Sequence, residues 1–205
     1  MTDVETAYGP ARVHTHPVDD PRAVLVLGHG AGGGVGAPDL VAATEAARST
    51  GVSVVLVEQP YRVAGRRSPA PARQLDAAWT AVLATLAGDE LPLVVGGRSA
   101  GARVACRTAS TVGAVAVLCL AFPLRPPGGR ASRLAELDAV ELPTLVVQGE
   151  RDPFGIPPPA PKRTVVLVPG DHSLRRGLDE VRDAVATWFQ PGRGLLDSAG
   201  RPQPG

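Results

Sequence analysis

Gly96-Gly97-Arg98-Ser99-Ala100-Gly101 follows the apolar run Leu91-Pro92-Leu93-Val94-Val95 and leads into Ala102-Arg103-Val104-Ala105-Cys106, which reads as a helix. A serine set among small residues at a strand-to-helix junction marks a turn sharp enough to lift its hydroxyl clear of a sheet. The small residues have a steric cause. Side chains at 97 and 101 would collide with the strand and the helix that meet there, and Ala100 is under the same limit. A glycine-serine string alone also suits an ordinary loop, so the surrounding pattern has to decide.

Before the motif, Ala23-Val24-Leu25-Val26-Leu27 is a continuous apolar run ending in Gly28-His29-Gly30-Ala31-Gly32-Gly33-Gly34. Residues 52–57, 114–120, 144–148 and 164–168 are runs of the same kind, strand-length and rich in β-branched residues. Helical patterns lie between them. Residues 38–50 carry Pro38 in the first turn and Gly51 as a stop. Leu75, Ala78, Trp79, Val82, Leu83 and Leu86 recur at steps of three and four, in a helix predicted to end near Gly88. Leu174, Leu178, Val181, Val185 and Trp188 mark a last amphipathic helix.

Alternation of strand and helix over 23–190 predicts an α/β fold, a mostly parallel sheet of about six core strands with helices on both faces. Short alternations at 4–7 and 11–16, separated by Gly9-Pro10, predict an antiparallel hairpin at the sheet edge within 1–21. Residues 121–142 offer one short helix, at 134–140, and so a minimal cap at most, with Phe122 and Leu124 placed to line a pocket. One domain over 1–190 is expected. Seven of the fifteen residues over 191–205 are glycine or proline, which predicts a disordered tail.

At 205 residues the chain can bury about 70 % of its unfolded surface around one core. Its 21 basic and 20 acidic side chains leave a net charge of +1, which supplies no field for nucleic acid or an anionic membrane, so neither partner is expected. The two cysteines, Cys106 and Cys119, have neither metal-ligand spacing nor a disulfide framework and read as small buried hydrophobes. No basic segment followed by an apolar one opens the chain, and no apolar run approaches the roughly 20 residues of a membrane helix. A cytoplasmic protein without metal is the expectation, its oligomeric state left open.

In a parallel α/β sheet, ligands bind at the rim where the strands end. The strand ends supply the glycine cluster at 28–34, Tyr61-Arg62, Ser99, Phe122-Pro123, Gly149-Glu150-Arg151-Asp152 and Gly170-Asp171-His172. A nucleophile, a carboxylate and an imidazole therefore occur in the order Ser, Asp, His, the order of α/β-hydrolases. Glu150 and Asp171 compete with Asp152 for the acid. His29 suits shaping of the glycine turn better than proton transfer, and His14 and His16 read as edge or solvent residues. Arg62, Arg66, Arg67 and Arg98 are candidates to hold an anionic substrate group; solvated arginines, or an internal ion pair with Glu58, are the alternative.

The strings Leu27-Gly28-His29-Gly30-Ala31-Gly32-Gly33, Gly96-Gly97-Arg98-Ser99-Ala100-Gly101 and Gly149-Glu150-Arg151-Asp152-Pro153-Phe154-Gly155 together resemble the α/β-hydrolase superfamily. The branch is one near dienelactone hydrolase that includes bacterial predicted hydrolases and relatives of a chromatin-complex subunit. The resemblance covers 23–190 and implies a three-layer α/β-hydrolase fold. It also implies Ser99 as nucleophile, His172 as base and Asp152, at the matching family position, as the acid that orients the imidazole. The backbone amides of Ala31 and Ala100, with Gly32 as fallback, would form the oxyanion site. The implied reaction is cleavage of a small ester, thioester, lactone or amide through an acyl-serine, with no cofactor and a small-molecule acyl substrate. A noncatalytic interaction module of the same fold and an acyltransferase with the same three residues are the rival readings.

Overall fold

The structure is a computed structural model and describes residues 1–86, 91–126, 128 and 131–190. Apolar runs without polar alternation need cover on both faces, and they find it in one eight-stranded sheet. Its strands are β1 (Thr2–Val4), β2 (Ala11–His16), β3 (Ala23–Gly28), β4 (Val52–Glu58), β5 (Leu93–Arg98), β6 (Ala116–Leu120), β7 (Thr144–Gly149) and β8 (Arg163–Val168). Their order is β1-β2-β4-β3-β5-β6-β7-β8. The six strands β3 to β8 are parallel, and β1 and β2 add an antiparallel edge hairpin beside β4. The first hairpin strand shares only Val4 with the predicted stretch at 4–7. There Thr6 Oγ1 donates to the Gly9 carbonyl at 2.7 Å and accepts from the Tyr8 amide at 3.1 Å, which folds those residues into a turn.

The helices are α1 (Pro38–Ser49), α2 (Pro60–Val63), α3 (Ala72–Leu86), α4 (Ala100–Thr108), α5 (Leu134–Asp138) and α6 (Leu178–Phe189). Apolar stripes set which face each covers. Leu40, Ala43 and Ala47 of α1 join Val181, Val185 and Phe189 of α6 over one face of the sheet. Trp79, Val82 and Leu83 of α3, Val104 and Ala105 of α4 and Leu137 of α5 cover the other. These are the helix-covered faces expected from the strand-helix alternation, in the three layers that the resemblance implies. The predicted end of α3 near Gly88 and the tail at 191–205 lie outside the described residues.

The chain leaves β3 for β4 on one side and returns to β5 on the other, so the loops after β3 and β5 diverge to opposite faces. Ser99 and the glycine turn lie at that switch point. Phe122 and Leu124 do not line an open pocket: they are 0 % and 5 % exposed and belong to the core on the α3–α4 face. Phe122 follows a strand with every residue buried and is drawn under with it. No described helix is long and apolar enough to cross a membrane. Among the described residues no three of His, Cys, Asp and Glu group as metal ligands do.

Candidate active site

Ser99 sits between β5 and α4 with φ 51° and ψ −105°, the left-handed side of backbone space that a non-glycine residue enters only when its surroundings force it. Two contacts enforce the bend. A Cβ at Gly97 would lie 2.5 Å from the Gly28 carbonyl oxygen, and one at Gly101 would overlap the same oxygen. The turn at the end of β3 is thus wedged against the start of α4. A Cβ at Gly30 would stand 3.6 Å from Ser99 Cβ, so the glycine turn and the serine share one side of the rim.

His172, in the loop after β8, places Nε2 2.9 Å from Ser99 Oγ. Its Nδ1 is 2.8 Å from Asp152 Oδ2. A carboxylate only accepts, so Nδ1 carries the ring proton and Nε2 is left to accept from the serine hydroxyl. Asp152 follows β7, and its side chain is 0 % exposed while that of His172 is 18 % exposed. The carboxylate is held from both sides: Gln148 Nε2 donates to Oδ2 at 2.7 Å and the Phe154 amide donates to Oδ1 at 2.8 Å. The Phe154 ring packs on the imidazole with centroids 4.4 Å apart. The rival acids are elsewhere, since Glu150 and Asp171 are exposed and Asp171 Oδ1 instead accepts from the Ser173 amide and hydroxyl.

The glycine turn has its own scaffold. His29 is 3 % exposed. Its Nε2 accepts from the Gln59 amide at 3.0 Å, so Nδ1 donates to the Gly30 carbonyl at 2.8 Å. Burial holds this imidazole below its ordinary pKa and keeps it neutral, a shaping role and not that of a base. Tyr61, in α2, donates its hydroxyl to the Ala31 carbonyl at 2.8 Å. Burial pushes its pKa up to about 12, so the proton stays in place. The Ala31 carbonyl is thereby turned to Tyr61. Among the described residues neither the Ala31 nor the Ala100 amide donates to a backbone carbonyl, and the second opens α4, where helix amides have no partner within the helix.

Of the arginines near the rim, Arg98 is committed internally, and to Asp39 instead of Glu58. Glu58 faces His14 at 3.8 Å. Arg62 Nη1 reaches the Arg66 carbonyl at 3.4 Å. Gln148 and Asp39 are not legible in the sequence as site residues. Gln148 reads as one more strand position, and Asp39, at the start of a helix, reads as an ordinary complement to the helix dipole. Cys106 and Cys119 are buried free thiols with sulfurs 3.6 Å apart.

A family model described as an alpha/beta hydrolase domain matches residues 21–182. Solved structures share the fold. An α/β serine hydrolase without lid from Xanthomonas campestris is 21 % identical over 93 % of this chain and 94 % of its own, with a TM-score of 0.74. Est1E from Butyrivibrio proteoclasticus is 16 % identical over 92 % of this chain and 96 % of its own, at 0.74. A dienelactone hydrolase from Anabaena variabilis is 16 % identical over 92 % and 94 %, at 0.71. No curated protein matches the chain.

Proposed function

The chain belongs to the α/β hydrolase domain family, and from that membership we propose that it is a serine hydrolase cleaving a small ester, thioester, lactone or amide through an acyl-Ser99 intermediate. The observation that carries this reading is the unbroken hydrogen-bonded series Ser99–His172–Asp152, at 2.9 and 2.8 Å, on a strained strand-to-helix turn. A scaffold has no physical need for a strained serine aligned on an imidazole of fixed tautomer.

In the proposed reaction Ser99 Oγ attacks the acyl carbonyl carbon as His172 Nε2 takes the hydroxyl proton. The imidazolium formed is stabilised by Asp152 and returns the proton to the leaving oxygen, sulfur or nitrogen. Water then enters by the same path in reverse and frees the acid, so the residues supply nucleophile and base without a cofactor. The Ala31 and Ala100 amides would hold the tetrahedral oxyanion; losing one such donor costs about 100- to 1,000-fold in turnover. The short α5 segment between β6 and β7 supports a small, readily reached substrate. Similarity to a serine hydrolase without lid and to a dienelactone hydrolase supports the same class.

The test is a panel of short p-nitrophenyl esters, thioesters and lactones with wild type and Ser99→Ala. Turnover of at least one class is expected, lowered about 10⁴-fold or more by Ser99→Ala. Activity that survives the substitution would remove Ser99 from the chemistry. Ester turnover diverted to an added alcohol in preference to water would make the chain an acyltransferase.

A further inference from the structure

The Arg98 side chain ties the connection after β3, beside its own strand β5, to the loop after β8, which lies three strands from β5 at the sheet's far edge. Arg98 ends β5, immediately before Ser99, and its side chain is only 17 % exposed. Its Nε lies 2.9 Å from Asp39 Oδ2, whose side chain at the start of α1 is 0 % exposed. At that distance, and largely shielded from water, the two side chains form an ion pair. Asp39 Oδ1 is fixed separately by the Leu40 amide at 3.0 Å. Nη2 donates to the main-chain carbonyl of His172 at 3.0 Å. Nη1 fills the space beside Gly30, where a Cβ would come within 2.6 Å of it.

We propose that Arg98 is a positioning residue for the hydrolytic site: its guanidinium, anchored on Asp39, fixes the backbone of His172 and the floor of the glycine turn relative to Ser99. This rests on the serine-hydrolase reading above. Arg98 touches no reacting atom and acts through His172. The planar, forked guanidinium suits the task because its separate nitrogens meet a carboxylate, a carbonyl and a glycine face from one rigid plane. A lysine would keep the positive charge for Asp39 but has one nitrogen, and cannot occupy all three places. The loop after β8 has other tethers, such as the Arg151 amide to the Gly170 carbonyl at 2.9 Å and the Leu174 amide to the Asp171 carbonyl at 3.1 Å. Those hold its flanks; Arg98 holds the residue whose ring must meet Ser99. A shift of about 1 Å in such a group is enough to cost about 100-fold in rate.

The experiment compares wild type, Arg98→Lys and Asp39→Asn by kcat and KM on a short activated ester and by the rate of Ser99 phosphonylation with an alkyl fluorophosphonate. Circular dichroism and thermal melting give the folded fraction of each. Arg98→Lys is expected to lower kcat and the phosphonylation rate about 10- to 100-fold per folded molecule with KM unchanged. Asp39→Asn, which keeps the volume but removes the anchoring charge, lowers both by a smaller factor. A folded Arg98→Lys with wild-type kcat and labelling rate, or a fall that only tracks the unfolded fraction, overturns the proposal. If Arg98→Lys does not fold, Asp39→Asn decides, and wild-type kcat in that variant overturns it. A wild-type chain that is neither labelled nor active defeats the serine-hydrolase reading, and the positioning role with it. Labelled wild type with unaffected variants defeats the positioning role alone.

Discussion

Asp152 accepts from His172, Gln148 and the Phe154 amide, and the middle donor has the most to hold. The Gln148 amide group also faces the Phe122 and Gly155 carbonyls at 3.1 and 3.0 Å, so one side chain ties the acid to the ends of two neighbouring loops. Gln148→Leu leaves the Gly155 carbonyl without its donor and the Phe122 carbonyl with the Leu124 amide alone, at about 1–3 kcal/mol of stability. It also removes one of the three donors that hold the Asp152 carboxylate, and kcat should fall about tenfold at constant KM; denaturant melts and steady-state kinetics check the two parts. His29 supplies a pH dependence. Its folded-state pKa is depressed from 6.5 by burial, with the Gly30 carbonyl and Glu58 opposing and Arg62 reinforcing the shift. The unfolded chain therefore takes up the proton first on acidification. Stability is full above pH 6.5 and is lost as pH falls through the folded pKa, with His16 contributing in the same sense. Melting temperatures between pH 7.5 and 5 should fall, and His29→Asn should flatten the slope; an unchanged slope would contradict this origin. Ser99 and His172 are legible in the sequence because chain order and rim position coincide. Glu150, Asp152 and Asp171 look alike as residues, and only the family resemblance favours Asp152; burial, which a string of letters does not carry, is what separates them in the structure.

The β5–α4 elbow is the element on which the geometry turns. Gly101→Ala would push a methyl into the Gly28 carbonyl, whereas a Cβ added at Gly32 would meet nothing within 4 Å. Gly101→Ala should destabilise by about 1–3 kcal/mol and displace the glycine turn, with loss of activity. Gly32→Ala should melt within about 0.5 kcal/mol of wild type. Equal stability of the two would contradict the wedge between β3 and α4. Strand β5 runs to Arg98, past the apolar run at 91–95, because Gly96 and Gly97 look like loop yet pair with Leu118 and Cys119. A Cβ at Gly96 would overlap the Leu118 carbonyl, so these glycines mark close packing inside the sheet. Helix α2, four residues long, has too little pattern to be read, although it delivers Tyr61 to the glycine turn.

At the scale of the molecule, the alternation of buried strands and helices is sufficient for the parallel sheet and its two covered faces. The exchange of order at β4-β3-β5 is not legible in the same way, because each of those runs is equally apolar and nothing local ranks its neighbours. Trp79 links the core to the site: it is 1 % exposed in α3, and its ring would lie 3.3 Å from a Cβ at Gly28. Trp79→Ala should cost about 3–5 kcal/mol by opening a cavity beneath the end of β3, measured by urea unfolding. A loss under about 1 kcal/mol would mean that the layer closes around the gap. Activation of Ser99 by His172 is the proposed task of the whole fold, and it is read out by intact-protein mass spectrometry after fluorophosphonate treatment. One adduct is predicted, mapped to the peptide containing Ser99, formed rapidly in wild type, absent in Ser99→Ala and slowed about 10³-fold or more in His172→Ala. An unmodified wild-type chain, or an adduct whose rate is indifferent to His172, would contradict it.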